Sequence, residues 1–102
     1  MSENSIKLSR GDFVFTIGYD GPVAVVDGQA KRRYGSLSTA KLAEKGLFRA
    51  AYSSALYSGK SEEITMVIES YNKLSGSSYD PNASLEKLFG VFPVDVKRAI
   101  IL

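Results

Sequence analysis

Residues 38–76 decide the fold, and they read STAKLAEKGLFRAAYSSALYSGKSEEITMVIESYNKLSG. The stretch holds two runs of apolar residues at helical spacing, separated at Gly59 and ended at Gly76. A serine and a threonine open it, and their hydroxyls can accept hydrogen bonds from the free amides of a first turn, whereas glycine commonly ends a helix. Because the connection between the two runs is short, the pattern predicts an antiparallel helical hairpin over residues 36–76.

Each predicted helix of the hairpin has one apolar face. In the first helix, that face is formed by Leu47, Phe48, Ala51, Tyr52, Ala55 and Leu56. In the second helix, it is formed by Ile64, Val67, Ile68, Tyr71 and Leu74. We expect these two apolar faces to pack against each other. The remaining apolar surface of the hairpin must then be covered by another layer of the protein.

The segment before the hairpin, residues 1–35, alternates apolar and polar residues and predicts an antiparallel β-meander of three or four strands. Asp27-Gly28 separates two of these strands, and this pair is favoured in tight hairpins because both residues tolerate positive φ. A meander of this size needs a cover on one face, and we expect the helical hairpin to supply it. The predicted strands are residues 6–8, 13–17, 23–26 and 29–34.

The segment after the hairpin contains one clear helix start and one ambiguous end. Asp80-Pro81 pairs an N-cap residue with the residue that suits the first helical position, which predicts a short helix that runs to Phe89. Residues 91–102, VFPVDVKRAIIL, fit either a last helix that begins at Pro93 or a strand added to the sheet edge. The helix is the preferred interpretation.

The chain is therefore predicted to be a single α+β domain over residues 1–102. Its parts are a β-meander (1–35), a helical hairpin (36–76) and one or two short helices with an apolar segment (77–102). The apolar segment contains Ile100, Ile101 and Leu102, which we expect to be buried against the core or against a second subunit. These three residues are the candidate interface of a homodimer.

The composition excludes several kinds of chemistry. The chain has neither cysteine nor histidine, which removes disulfides, a thiol nucleophile, the commonest general base and the commonest ligands of zinc. Because no catalytic, cofactor or metal motif is found, we predict a protein that is not an enzyme and carries no cofactor. The N-terminus is polar and no apolar run is long enough to span a bilayer, which predicts a cytoplasmic protein with no membrane partner.

One group of residues points to a ligand. Cations beside free helix amides attract phosphate, and a tyrosine ring offers a stacking face for a base. The preferred interpretation, however, is that the cations protect an edge strand from aggregation. The candidate residues for anion or nucleic-acid binding are Lys31, Arg32, Arg33, Tyr34, Ser38 and Lys41, of which the first four form a basic cluster at the end of a predicted strand.

The sequence thus supports two hypotheses of different kinds. The first is a small, non-enzymatic protein-interaction or regulatory module, whose partner is another protein or a second copy bound through residues 100–102. The second is a binder of nucleic acid or of a phosphate ligand that uses the basic cluster. The net charge of +2 is too small to decide between them.

Overall fold

The computed structural model of the chain describes residues 8–81, 85–89 and 96–102. These residues form six helices and three strands, so the predicted α+β class is confirmed. In chain order the elements are α1 (Arg10–Val14), β1 (Thr16–Asp20), β2 (Val23–Val26), α2 (Gly28–Tyr34), α3 (Thr39–Glu44), α4 (Phe48–Ser58), α5 (Ser61–Ser75), α6 (Glu86–Phe89) and β3 (Arg98–Ile101).

The chain forms two compact units. The first contains the described residues as far as Ser36 together with residues 96–102. The second contains the described residues from Leu37 to Phe89. The assignment of residues 1–102 to one domain stays a prediction.

The first unit is built on a three-stranded sheet with the strand order β1-β2-β3. β1 and β2 are antiparallel and are joined through Gly21, whose φ of 58° lies in the left-handed region that favours glycine. β2 and β3 are parallel, with Val23 opposite Arg98 and Val26 opposite Ile101. The sheet is therefore mixed, and the prediction of a purely antiparallel meander is wrong in its third strand.

The helix α1 occupies the connection between the first two predicted strands, 6–8 and 13–17, and the start of the second of them. Ser9 caps this helix, since its Oγ accepts a hydrogen bond from the backbone N–H of Asp12 at 3.2 Å. The strand begins only at Thr16, whose hydroxyl donates to the carbonyl oxygen of Asp12 at 2.6 Å. Leu8 belongs to no strand, and the rest of the predicted strand over residues 6–8 lies outside the described residues.

The segment predicted as the return strand, residues 29–34, is part of helix α2. Asp27 caps the helix, because its Oδ1 accepts a hydrogen bond from the backbone N–H of Ala30 at 3.1 Å. Aspartate followed by glycine suits a helix start as well as a hairpin, and the glutamine, alanine, lysine and arginine residues that follow are good helix formers. The basic cluster therefore lies on a helix, and its interpretation as edge-strand protection is wrong.

The prediction preferred for the last segment, a helix that begins at Pro93, is also wrong. Residues Arg98–Ile101 form β3, so the alternative of a strand at the sheet edge is confirmed. Two β-branched isoleucines favour an extended backbone, and β2 supplies its hydrogen-bond partners. Pro93, where the predicted helix would begin, lies outside the described residues.

One face of this sheet is covered. Tyr19, Ala24 and Ala99 are neighbours in register across the three strands, so their side chains share a face. The core on this face consists of the buried residues Leu8, Ala24 and Val96, against which Phe13, Tyr19 and Ala99 pack. The opposite face of the sheet is called the outer face below.

The second unit contains the predicted helical hairpin with one additional break. Gly46, with a φ of 75°, directly follows the last turn of α3, so the helix that was predicted as continuous is divided into α3 and α4. The predicted ends are confirmed. Ser38 Oγ accepts a hydrogen bond from the backbone N–H of Lys41 at 3.2 Å, and both Gly59 and Gly76 adopt left-handed φ values at the ends of α4 and α5.

A hydroxyl network ties three helices of this unit together. The Oγ1 atom of Thr39, buried at the start of α3, lies 2.7 Å from Ser54 Oγ on α4 and donates to Glu63 Oε1 on α5 at 2.6 Å. Since the single hydroxyl proton of Thr39 goes to Glu63, the Ser54 hydroxyl is the donor in the other bond.

Aromatic rings hold α6 on α4. Tyr52 is fully buried, its hydroxyl oxygen accepts a hydrogen bond from the backbone N–H of Leu85 at 3.0 Å, and its ring lies 4.9 Å from that of Phe89. Tyr71 on α5 packs edge to face with Phe89 at 5.2 Å. α6 covers only the last four residues of the short helix predicted from Pro81 to Phe89, because neither Pro81 nor Leu85 is helical. Residues 82–84 of that prediction lie outside the described residues.

Candidate protein-interaction site

β3 is an edge strand, because β2 is the only described strand that pairs with it. The backbone N–H of Leu102 donates to the carbonyl oxygen of Val26 at 3.0 Å, so this residue turns its N–H toward β2. The hydrogen-bonding groups of successive residues in a strand point to opposite sides. The N–H and C=O groups of Ala99 and Ile101 therefore point away from β2 and form an edge that no described strand covers, called the open edge below.

The side chains at the end of this strand are apolar and accessible. Ile100 is 44% exposed, Ile101 50% and Leu102 68%. Ile100 and Ile101 thus lie on the edge strand and Leu102 directly follows it. Their burial in the core of their own chain, one of the two predicted alternatives, is not found. An edge strand with exposed apolar side chains is a template for pairing with another chain.

The outer face of the sheet continues this apolar surface. Val25 on β2 lies in register between Gly18 on β1 and Ile100 on β3. A Cβ atom placed on Gly18 would have no heavy atom within 4 Å, so the face is open at that point. We call Gly18, Val25 and Ile100 the outer strip; it runs across the sheet and ends at the open edge.

The end of β3 is held against the start of α2. Gly28, the first residue of α2, is buried, and a Cβ atom there would lie 2.9 Å from Ile101 Cγ2 and would collide with the carbonyl oxygen of Leu102. This close approach requires glycine. This contact holds the end of β3 on the covered face of the sheet, which Ile101 shares with Ala99. It does not involve the outer strip.

Part of the basic cluster has a structural role. Lys31 Nζ forms an ion pair of 2.5 Å with Asp12 Oδ1, and the two side chains are 33% and 18% exposed. Arg10 on α1 donates to the carbonyl oxygen of Gly35 at 3.1 Å. These two contacts fasten α1 to α2, so Lys31 is engaged within its own unit. No local pattern identified Asp12 as its partner, since the two residues are far apart in the chain.

The rest of the basic cluster is accessible. Arg32 and Arg33 are exposed, and the guanidinium carbon of Arg33 lies 5.9 Å from the centre of the Tyr34 ring. A small cavity of about 250 Å³ adjoins this side of α2. It is lined by Asp27, Gln29, Ala30, Arg33 and Tyr34, so it presents a carboxylate as well as a guanidinium.

Ser38 and Lys41, the other two candidate residues for anion binding, belong to the second unit. The Ser38 hydroxyl is the cap of α3, and Lys41 Nζ lies 3.2 Å from Glu44 Oε2 on the same helix. Both atoms therefore have partners within α3. The second unit also has an open groove of about 820 Å³, lined by Ser38, Ala40, Lys41, Ala43, Glu44, Phe48, Met66, Ser70, Lys73 and Leu74.

Sequence reasoning found the side chains of the candidate interface but missed its backbone edge and the outer strip. Because a helix was preferred for residues 91–102, no open edge was expected there: the backbone N–H and C=O groups of a helix form hydrogen bonds with one another. The pair Ile100-Ile101 was a signal for a strand, since β-branched residues favour sheets. No local signal placed Val25 and Gly18 beside Ile100, because that pairing joins distant parts of the chain.

The described ranges contain no group of three or more acidic side chains that could hold a metal ion. None of the helices within them is both long and apolar enough to cross a bilayer. No protein family matches this chain, and no curated protein or solved structure is similar to it at a significant level.

Proposed function

We propose that this chain is a non-enzymatic protein-interaction module that binds an extended protein segment at the β3 edge. The observation that carries the proposal is the open backbone edge at Ala99 and Ile101 beside three exposed apolar side chains. A strand added to such an edge gains main-chain hydrogen bonds, and alternate side chains contact the faces of the sheet. The segment comes from another protein or from a second copy.

The distribution of charge along β3 supports the same proposal. Soluble proteins protect open edges with lysine, arginine or proline. Here Lys97 and Arg98 lie at the beginning of the strand, and the three residues that follow Ala99 are all apolar. The protected and unprotected parts of the edge are thus separate, and the unprotected part lies next to the outer strip.

The test is a selection of short peptides displayed on phage against the immobilised full-length chain. We expect extended, apolar peptides whose affinity falls at least about tenfold in the Ile100→Lys variant, since a central apolar anchor is removed. Ile17→Lys is the matched control, because Ile17 is 49% exposed and lies at a register irregularity of β1 instead of on β3. Binders that tolerate Ile100→Lys, or the absence of binders to a chain that light scattering shows to be monomeric, would contradict the proposal.

Binding of nucleic acid or of a phosphate ligand is a second candidate function. It is supported by the exposed side chains of Arg32 and Arg33, the second of which lies next to Tyr34. The two stretches that include the first unit, residues 1–36 and 93–102, carry seven Lys and Arg against five Asp and Glu, whereas residues 37–92 carry six of each. The whole net charge of +2 therefore belongs to the unit that holds these arginines.

This second candidate is tested by titration with short RNA and DNA over a series of salt concentrations. Each phosphate that a variant no longer neutralises should reduce the steepness of log K against log salt by about 0.7 to 0.9. We expect the double variant Arg32→Ala/Arg33→Ala to abolish such binding, and Lys45→Ala/Lys60→Ala, which removes two exposed cations of the second unit, to keep it. This function would be excluded if the affinity did not change with salt concentration, or if it were the same in the arginine double variant as in the native chain.

A further inference from the structure

We infer that the partner at the β3 edge is a second copy of this chain, paired antiparallel through β3 about a two-fold axis at Ile100. This inference rests on the proposed function and names its partner. A two-fold axis across an edge strand brings the same strand of both copies together in opposite directions and closes the assembly as a dimer. The result is one continuous six-stranded sheet.

The hydrogen-bonding pattern of the edge selects this register. With Ile100 on the axis, Ala99 lies opposite Ile101 of the second copy, and Ile101 lies opposite its Ala99. Both residues turn their N–H and C=O groups outward, so each of the two pairs exchanges two hydrogen bonds. All four outward groups of the strand in each copy are then satisfied.

Neighbouring registers satisfy fewer groups. An axis at Ala99 would place Ile101 opposite Lys97, but the N–H of Lys97 already donates to the carbonyl oxygen of Pro22 at 2.7 Å. An axis at Ile101 would leave Ala99 opposite no residue of β3. The register about Ile100 is therefore the one that uses the whole open edge.

The side chains fit the same register. Ile100 faces its counterpart as a non-hydrogen-bonded pair, whose Cα atoms approach to about 4.5 Å in antiparallel sheets. Because Ile100 belongs to the outer strip with Val25, the two strips join into one apolar row across the dimer. Arg98 lies opposite Leu102 of the second copy, so the arginines of the two copies stay at opposite ends of the contact.

The register is tested with single cysteines, which this chain otherwise lacks. A cysteine pair on the axis has the Cα separation that a disulfide needs, so Ile100→Cys should form a cross-linked dimer at least about tenfold faster than off-axis variants under mild oxidation. Leu102→Cys is the sharpest control, because Leu102 is the more exposed of the two residues, at 68% against 44%. If accessibility alone set the rate of cross-linking, Leu102→Cys would react faster than Ile100→Cys.

Light scattering and sedimentation of the native chain, with Ile100→Lys and Ile17→Lys alongside, complete the test. We expect a dimer that Ile100→Lys dissociates and that Ile17→Lys leaves intact. A native chain that stays monomeric at high concentration, or cross-linking that follows exposure and is faster at Leu102, would overturn the inference. If peptides selected on the edge still lose affinity in Ile100→Lys, the proposed function stands while its self-pairing form is excluded.

Discussion

Replacing Gly28 by alanine tests whether the end of β3 is held against α2. Gly28 is buried, and the added methyl carbon would lie 2.9 Å from Ile101 Cγ2 and in collision with the carbonyl oxygen of Leu102. Side-chain carbons do not approach other heavy atoms this closely, so the end of β3 or the first turn of α2 must move. We expect the strand end to give way, because it lies on the sheet edge.

Two opposing effects set the magnitude. Inserting a methyl group into a packed contact costs about 1–3 kcal/mol. Alanine is favoured over glycine by about 1 kcal/mol in a helix interior, and this benefit is smaller at the first helical residue. We therefore expect the free energy of unfolding to fall by about 1–2 kcal/mol, with a decrease of about 4–8 °C in Tm for each kcal/mol.

Urea unfolding monitored by circular dichroism measures the destabilisation, and amide exchange locates it. The Leu102 amide, bonded to the Val26 carbonyl at 3.0 Å, should exchange faster in the variant. Gly18→Ala is the control, since a Cβ there meets open space; it should be neutral or stabilising by about 0.4–1 kcal/mol. A Gly28→Ala protein as stable as the native chain, with unchanged protection at Leu102, would refute the contact between α2 and β3.

Two further substitutions examine the second unit. Thr39→Val removes the hydroxyl that joins Ser54 and Glu63, and it should lower the free energy of unfolding in urea by about 1–3 kcal/mol, whereas Thr39→Ser keeps the hydroxyl and should destabilise less. A Thr39→Val protein as stable as the native chain, or one that loses less stability than Thr39→Ser, would show that the methyl group matters more than the network. Tyr52→Phe leaves the N–H of Leu85 without its acceptor and should cost about 1–2 kcal/mol. Amide exchange at Leu85 should rise in that variant, and unchanged exchange would mean that the bond does not hold α6 in place.

The parts of the fold that depend on local chemistry could be predicted from the sequence. Ser38 caps a helix because its hydroxyl can accept a hydrogen bond from a free backbone N–H in any fold. Gly59 and Gly76 end helices because glycine, which has no side chain, readily adopts the left-handed φ of that position. Val23–Val26 form a strand for a similar reason, since valine favours an extended backbone.

The errors arose where one local signal fits two structures. Asp27-Gly28 is favoured both in hairpins and at helix starts, and only the helix formers after it decide for α2. Alternating apolar residues around Phe13 resembled a strand, but the Ser9 cap and the packing of Phe13 on the core of its unit produce a helical turn. β3 was missed because its partner lies in a distant part of the sequence.

The same distinction explains how much of the candidate site was predictable. Ile100, Ile101 and Leu102 were identified by their apolar character, which a sequence shows directly. Which of their backbone groups are open depends on the pairing with β2, and which cations are accessible depends on ion pairs such as that of Lys31 with Asp12. Both are properties of contacts between distant residues.

The pairing of Val23 with Arg98 has a consequence for the order of folding. During synthesis, the hairpin of β1 and β2 leaves the ribosome long before β3, and the helices of residues 37–75 are made in between. Helices that contact their neighbours in sequence form quickly, whereas a parallel strand pair must first close the long intervening loop. We therefore expect the second unit to fold before β3 pairs with β2 and completes the sheet of the first unit.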